Sequence, residues 1–317
     1  MIELFIHYLA LVFCVVAATF GVSRGHAKAA QASLGALERQ PAMQPDIFRS
    51  MILSLALIET AAILGLLTSL FIFFAEIPTL PQSLAELGMA FAVGIPALVI
   101  GWFSAEPAAK SIAALARQPF LARRLSNFSL LVLALIQTPL LFGFIIAQII
   151  RAQTSYVETI GQGLTLLGAG LAAGFGCVGP VIGRCNSLQD LLGAVGRNRG
   201  AFPKLFTFMF VSQAIIETPI LFALIISLLL TRVATTPFEH PMLGIAYLIF
   251  GALIGIGTLG PGISSGQAAA ATAVQIGYTP EAYTTLSRAS MVAQGLIDTI
   301  AIYAFMVALL LILTPLV

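Results

Sequence analysis

Eight stretches of this chain are apolar for long enough to cross a lipid bilayer. They lie near residues 4–23, 50–75, 87–105, 125–150, 159–183, 205–231, 241–264 and 289–316. A spanning helix needs about 20 mainly apolar residues. In hydrocarbon each segment must satisfy its own backbone polar groups, so helices are the expected form. Five stretches carry no Asp, Glu, Lys or Arg, and the second, sixth and eighth carry one acid each: Glu59, Glu217 and Asp298. Only 9% of residues are charged, against about 25% in a typical soluble domain. That excludes a soluble enzyme, a nucleic-acid binder and a disordered chain. The connecting segments are too short for a separate soluble domain. The N-terminal segment has Glu3 ahead of the first stretch and no basic leader, so that stretch is expected to be a span and not a signal peptide. Cys14, Cys177 and Cys185 are too few and too scattered for a disulfide framework or a metal site.

The basic residues predict the orientation. Arg24, Lys28, Arg39 and Arg49 follow the first span, and Lys110, Arg117, Arg123 and Arg124 the third. Arg184, Arg197, Arg199 and Lys204 follow the fifth, and Arg288 the seventh. Only Arg151 and Arg232 fall in the alternate connections. The positive-inside rule places the hairpin bends in the cytoplasm and both termini outside.

The chain also repeats. "ALERQP" (36–41) returns as "ALARQP" (114–119), then more weakly as "AVGRNR" (194–199) and "QIGYTP" (275–280). Twenty residues beyond the same place in each copy stand Glu59, Gln137, Glu217 and Asp298. Each is followed by a threonine: Thr60, Thr138, Thr218 and Thr299. The expected organisation is four tandem helical hairpins, 1–77, 78–155, 156–235 and 236–317. An ionisable group inside a membrane helix is costly and by default marks function. Each acid lies about ten residues into its span, so about 15 Å deep at about 1.5 Å per residue. Three acids and an isosteric amide at one repeated midplane position are not expected of incidental buried carboxyls. Glycines crowd the first helices of the later hairpins, among them Gly168, Gly170, Gly174, Gly251 and Gly255. Small residues let helix backbones approach closely, so these helices are expected to form a tight inner layer. The first and third spans, poorer in glycine, must lean on alanine.

A small-residue inner helix, an Arg-Gln-Pro bend and an outer helix with a mid-membrane carboxylate resemble the c-ring proteolipid of rotary ATP synthases. The resemblance covers the whole chain four times over and is most specific in "ALERQPAMQPDIFRSMILSLALIET" and "ARQP". The Arg-Gln-Pro bend favours the F-type, whereas fusion of several hairpins is more typical of vacuolar-type and some archaeal proteolipids. The resemblance implies self-association into a rotor ring, with first helices inside and second helices outside, in a bacterial inner membrane. Its implied partners are membrane lipid, the a-subunit of the ATP synthase stator and the central stalk. Arg39, Gln40, Pro41, Arg117, Gln118 and Pro119 are the expected stalk contacts. Glu59, Glu217 and Asp298 are the expected ion-binding residues, loading an ion beside the stator and carrying it neutralised past lipid. Burial disfavours a charged carboxylate and a nearby cation favours it, which allows such a cycle. No resident cofactor or metal is implied, and the chain has no catalytic constellation of its own.

The chain departs from that pattern in several places. Gln137 cannot ionise, so the second hairpin is a degenerate ion site, and fewer ions per turn would suit ATP-driven pumping. Arg184 is as far before the third bend as Glu217 is after it, and is expected either to pair with Glu217 or to reach the cytoplasmic surface. The fourth bend, "GYTPEAYTTLSR", lacks Arg-Gln-Pro altogether. Sodium-binding relatives place a glutamine on the inner helix level with the acid. Here that level holds His26, Ser104, Arg184 and Ser265, leaving Thr60, Thr218, Thr299, Gln213 and Gln294 as auxiliary groups. A hard cation wants several oxygens, so protons are favoured over sodium. An eight-helix secondary transporter and a lipid-binding ring protein that has lost coupling are the rival readings.

Overall fold

The computed structural model describes residues 1–236 and 241–314. The last two residues of the expected eighth span, 315–316, lie outside the described residues, as does the tail of the fourth hairpin. Among the described residues every regular element is helical. Eight helical runs are long and apolar enough to cross a membrane, which makes this an integral membrane protein.

The first hairpin pairs α1 (Ile2–Arg39) with α2 (Gln44–Phe73). The second pairs α3 (Leu80–Phe103) and α4 (Ala105–Arg117) with α5 (Ala122–Ile136) and α6 (Thr138–Thr154). The third pairs α7 (Ile160–Gly176) and α8 (Val178–Arg197) with α9 (Phe202–Val233). The fourth pairs α10 (Pro241–Gly257) and α11 (Leu259–Tyr278) with α12 (Tyr283–Leu313).

The first helix of each hairpin runs well past its apolar stretch. Residues 24–39, read as part of a polar connection, continue α1, because "AKAAQASLGALER" is rich in strong helix formers. Each bend shrinks to one non-helical residue and a turn of 3-10 helix: Pro41–Met43, Pro119–Leu121, Arg199–Ala201 and Pro280–Ala282. The same capping bond recurs four times, from the N–H of Gln40, Gln118, Asn198 and Thr279 to a carbonyl one turn back, at 2.9 Å each.

Four spans are interrupted at one residue, Ser104, Gln137, Cys177 and Thr258. A proline follows two or three residues later (Pro107, Pro139, Pro180 and Pro261). Proline brings no N–H and crowds the carbonyl four residues back. One such carbonyl is recovered by a hydroxyl, Thr138 Oγ1 donating to Leu135 O at 2.9 Å, while Thr258 Oγ1 lies 3.3 Å from Gly176 O and closer, at 2.9 Å, to Gly255 O of its own hairpin. α1 contains no proline and runs unbroken for 38 residues.

The first helices stand side by side in chain order, α1 against α3, α3 against α7 and α7 against α10, while α4, α8 and α11 continue the row. The second helices form an outer layer over them. The inner row is held by backbone proximity. A Cβ built on Gly101 would fall 2.6 Å from Val22 N, and one on Gly168 would fall 2.8 Å from Leu248 Cα. Ala10, Cys14, Ala18 and Ala29 are among the buried small residues of α1. Polar bonds tie each hairpin to the next. Lys28 Nζ pairs with Glu106 Oε1 at 2.6 Å, Gln118 Nε2 donates to Gly196 O at 3.2 Å, and Asn198 Nδ2 to Gly277 O at 3.0 Å.

Candidate functional site

Glu59, Gln137, Glu217 and Asp298 sit at one repeated level of the outer layer, each in a different setting. Glu59 on α2 is exposed. Gln137, at the break between α5 and α6, is buried, and its Nε2 donates to Leu57 O of the preceding hairpin at 3.0 Å. Glu217 on α9 keeps 23% of its side chain exposed. Asp298 on α12 is buried at 7%, and its Oδ1 has no hydrogen-bond partner among the described residues. Gln137 thus shows a site residue turned towards the outer helix of the hairpin before it. Among the described residues no outer helix stands in that place beside Glu59, which is exposed.

Of the two expectations for Arg184, the structure has the pairing. Arg184 is 1% exposed and does not reach the surface. Its Nη1 donates to Glu217 Oε1 at 3.4 Å and its Nη2 to Glu217 Oε2 at 3.3 Å. Its Nε donates to Gln213 Oε1 at 3.2 Å, and Gln213 Nε2 donates on to Ser187 Oγ at 3.2 Å. A buried guanidinium is tolerated only when paired and hydrogen-bonded, and this network supplies both.

The other auxiliary residues are mostly committed elsewhere. The hydroxyls of Thr60, Thr218 and Thr299 donate to carbonyls of their own helices at 2.7, 3.3 and 2.7 Å. Their lone pairs stay available while their protons do not. Gln294 accepts from Ser212 Oγ at 3.1 Å and donates to Ser290 Oγ at 2.9 Å. At the inner-helix level His26 Nε2 lies 3.0 Å from Leu55 O, while the Ser104 and Ser265 hydroxyls are buried without partners among the described residues. In the bends Arg39 and Arg117 are exposed, whereas Gln118 is drawn into the bond to the third hairpin.

Sequence reasoning missed the pairs that join one hairpin to the next. His7 Nδ1 and Glu86 Oε2 lie 2.7 Å apart, both buried, between the first two inner helices. Lys28–Glu106 is a second such pair. The signal was present: both pairs join residues close to one repeat length apart, as neighbours at one level of a repeat array must be.

The chain is similar in sequence to known proteins. A family model for the C subunit of ATP synthase matches four times, over residues 9–72, 87–150, 167–230 and 248–311. The ATP synthase c-subunit 2 of Cereibacter sphaeroides is 48% identical over 58 residues, covering 18% of this chain and 70% of that protein. The ATP synthase c-subunit of Campylobacter jejuni subsp. doylei is 37% identical over 68 residues, 22% of this chain and 61% of its own length. That of Campylobacter curvus is 32% identical over 80 residues, 25% of this chain and 74% of its own length.

Proposed function

The chain belongs to the ATP synthase C-subunit family, and from that membership we propose that it is a membrane rotor component of a rotary ATP synthase or ATPase. Its hairpins act as four fused copies of one unit, bounded near 1–77, 78–155, 156–235 and 236–317. Copies join into a ring with the glycine-rich helices inside and the acid-bearing helices outside. The bends face the cytoplasm, where Arg39, Gln40, Pro41, Arg117, Gln118 and Pro119 meet the central stalk. The stator's a-subunit meets the outer layer at the level of Glu59, Glu217 and Asp298.

One observation carries this reading: the four outer helices present three carboxylates and one amide at one repeated level. A carboxylate with an unpartnered buried oxygen, as at Asp298, is unfavourable in an apolar setting. A bound proton or cation relieves it, and a nearby cation on the stator draws the ion off again. Rotation between those two settings moves ions across the membrane. Protons fit better than sodium, because the inner-helix level holds His26, Ser104, Arg184 and Ser265 in place of a glutamine, which leaves a hard cation short of oxygen ligands.

Gln137 favours pumping over synthesis within this reading. An amide in place of an acid lowers the number of ions moved per turn, hence per ATP. Fewer ions per ATP let hydrolysis work against a steeper gradient.

Imaging of the purified complex tests the assembly. The expected result is a closed ring of eight-helix chains that co-purifies with the stator and the stalk. A free eight-helix particle that takes up solute by itself would support a transporter instead.

A further inference from the structure

We propose that Arg184 is a built-in counter-cation that occupies the third hairpin's site in place of the transported ion. This deepens the rotor reading and rests on it. Glu217 faces the guanidinium with both carboxylate oxygens, and the guanidinium is fixed by Gln213, which is itself held by Ser187. Arginine does not give up its proton in proteins. Protonating Glu217 would therefore strand a buried positive charge, which is strongly unfavourable. Releasing Glu217 to a stator cation would strand the same charge. The pair is neutral as it stands and can pass lipid with no ion aboard.

The consequence reaches the whole ring. Gln137 is neutral by composition and Glu217 by pairing, which leaves Glu59 and Asp298 as the carriers. With hairpins following chain order around the ring, as they do within the chain, the first hairpin of each copy stands against the fourth hairpin of the preceding copy. The two carriers then stand next to each other across every junction between copies, followed by two positions that carry nothing. Ion loading comes in pairs separated by gaps.

The test is labelling of the intact detergent-solubilised protein with dicyclohexylcarbodiimide, which reacts with protonated carboxyls, read site by site by mass spectrometry. In the natural protein Asp298 is expected to take at least tenfold more label than Glu217. Arg184→Ser, which installs the residue found at the same level in the second and fourth hairpins, is expected to bring Glu217 up to Asp298. Arg184→Lys keeps the charge and is expected to leave Glu217 unlabelled. Glu217 reacting as readily as Asp298 in the natural protein overturns the proposal without recourse to any variant. So does a Glu217 that stays unreactive in Arg184→Ser while Asp298 reacts. If Glu217 reacts only once Arg184 is removed but neither Asp298 nor Glu59 ever does, the rotor reading fails and the assignment of Arg184 stands.

Discussion

Gln137 shows what a neutral group does at the site. Its amide donates to Leu57 O, a carbonyl of the preceding outer helix. A protonated glutamate has a donor to place there, and an ionised one has none. Gln137→Glu should therefore fit the same space and add a carrier. In vesicles holding the whole complex, ions moved per ATP hydrolysed should rise, and an unchanged ratio in an assembled ring would refute the gearing argument. Asp298 is the opposite case, buried with one oxygen unmatched. Asp298→Asn should leave the fold intact, because an amide is tolerated at Gln137, and should remove one carrier per chain, read as a lower ion-to-ATP ratio.

Packing decides more at the scale of the helix. Gly168 lies so close to α10 that an added Cβ would fall 2.8 Å from Leu248 Cα, whereas Gly35 on α1 has nothing within 4 Å. Gly168→Val should destabilise the inner row by about 1–3 kcal/mol, the usual cost of overpacking. Gly35→Ala should be neutral or stabilise by up to about 1 kcal/mol. The temperature at which the solubilised protein unfolds distinguishes the two substitutions. The glycine pattern, the eight apolar spans and the repeat of the outer-helix positions were all legible in the sequence, because repetition and hydropathy encode them directly. The Arg184–Glu217 pair was legible as one of two outcomes, since hairpin symmetry put both groups at one depth. The one-residue breaks were not read, although Pro107, Pro139, Pro180 and Pro261 mark them. Pro219 stands where Pro139 does in its own hairpin and is carried inside an unbroken α9. His7–Glu86 and Lys28–Glu106 escaped because they belong to the contact between hairpins, which depends on the order of hairpins around the row.

The row of inner helices leaves the chain with two unlike ends. One is the first hairpin, which bears Glu59, and the other is the fourth hairpin. Within the chain Gln137 reaches Leu57, and the same step carried across a junction brings Glu59 to Leu296 of the neighbouring copy. Glu59→Cys with Leu296→Cys should therefore give chain-to-chain products with a short thiol cross-linker. The expected ladder on a denaturing gel ends at the number of chains in the ring. Cys14, Cys177 and Cys185 are buried and should contribute little background. A protein working as a single eight-helix unit would give no ladder.

The most direct measurement of the rotor mechanism is ATP-driven proton movement into vesicles carrying the complete complex, with this chain as its only rotor protein. With the natural chain, addition of ATP should acidify the vesicle interior. With Glu59→Gln and Asp298→Asn combined, the ring should still assemble and the flux should fall to that of protein-free vesicles. Undiminished flux from that double variant would contradict the claim that these mid-membrane carboxylates carry the ions.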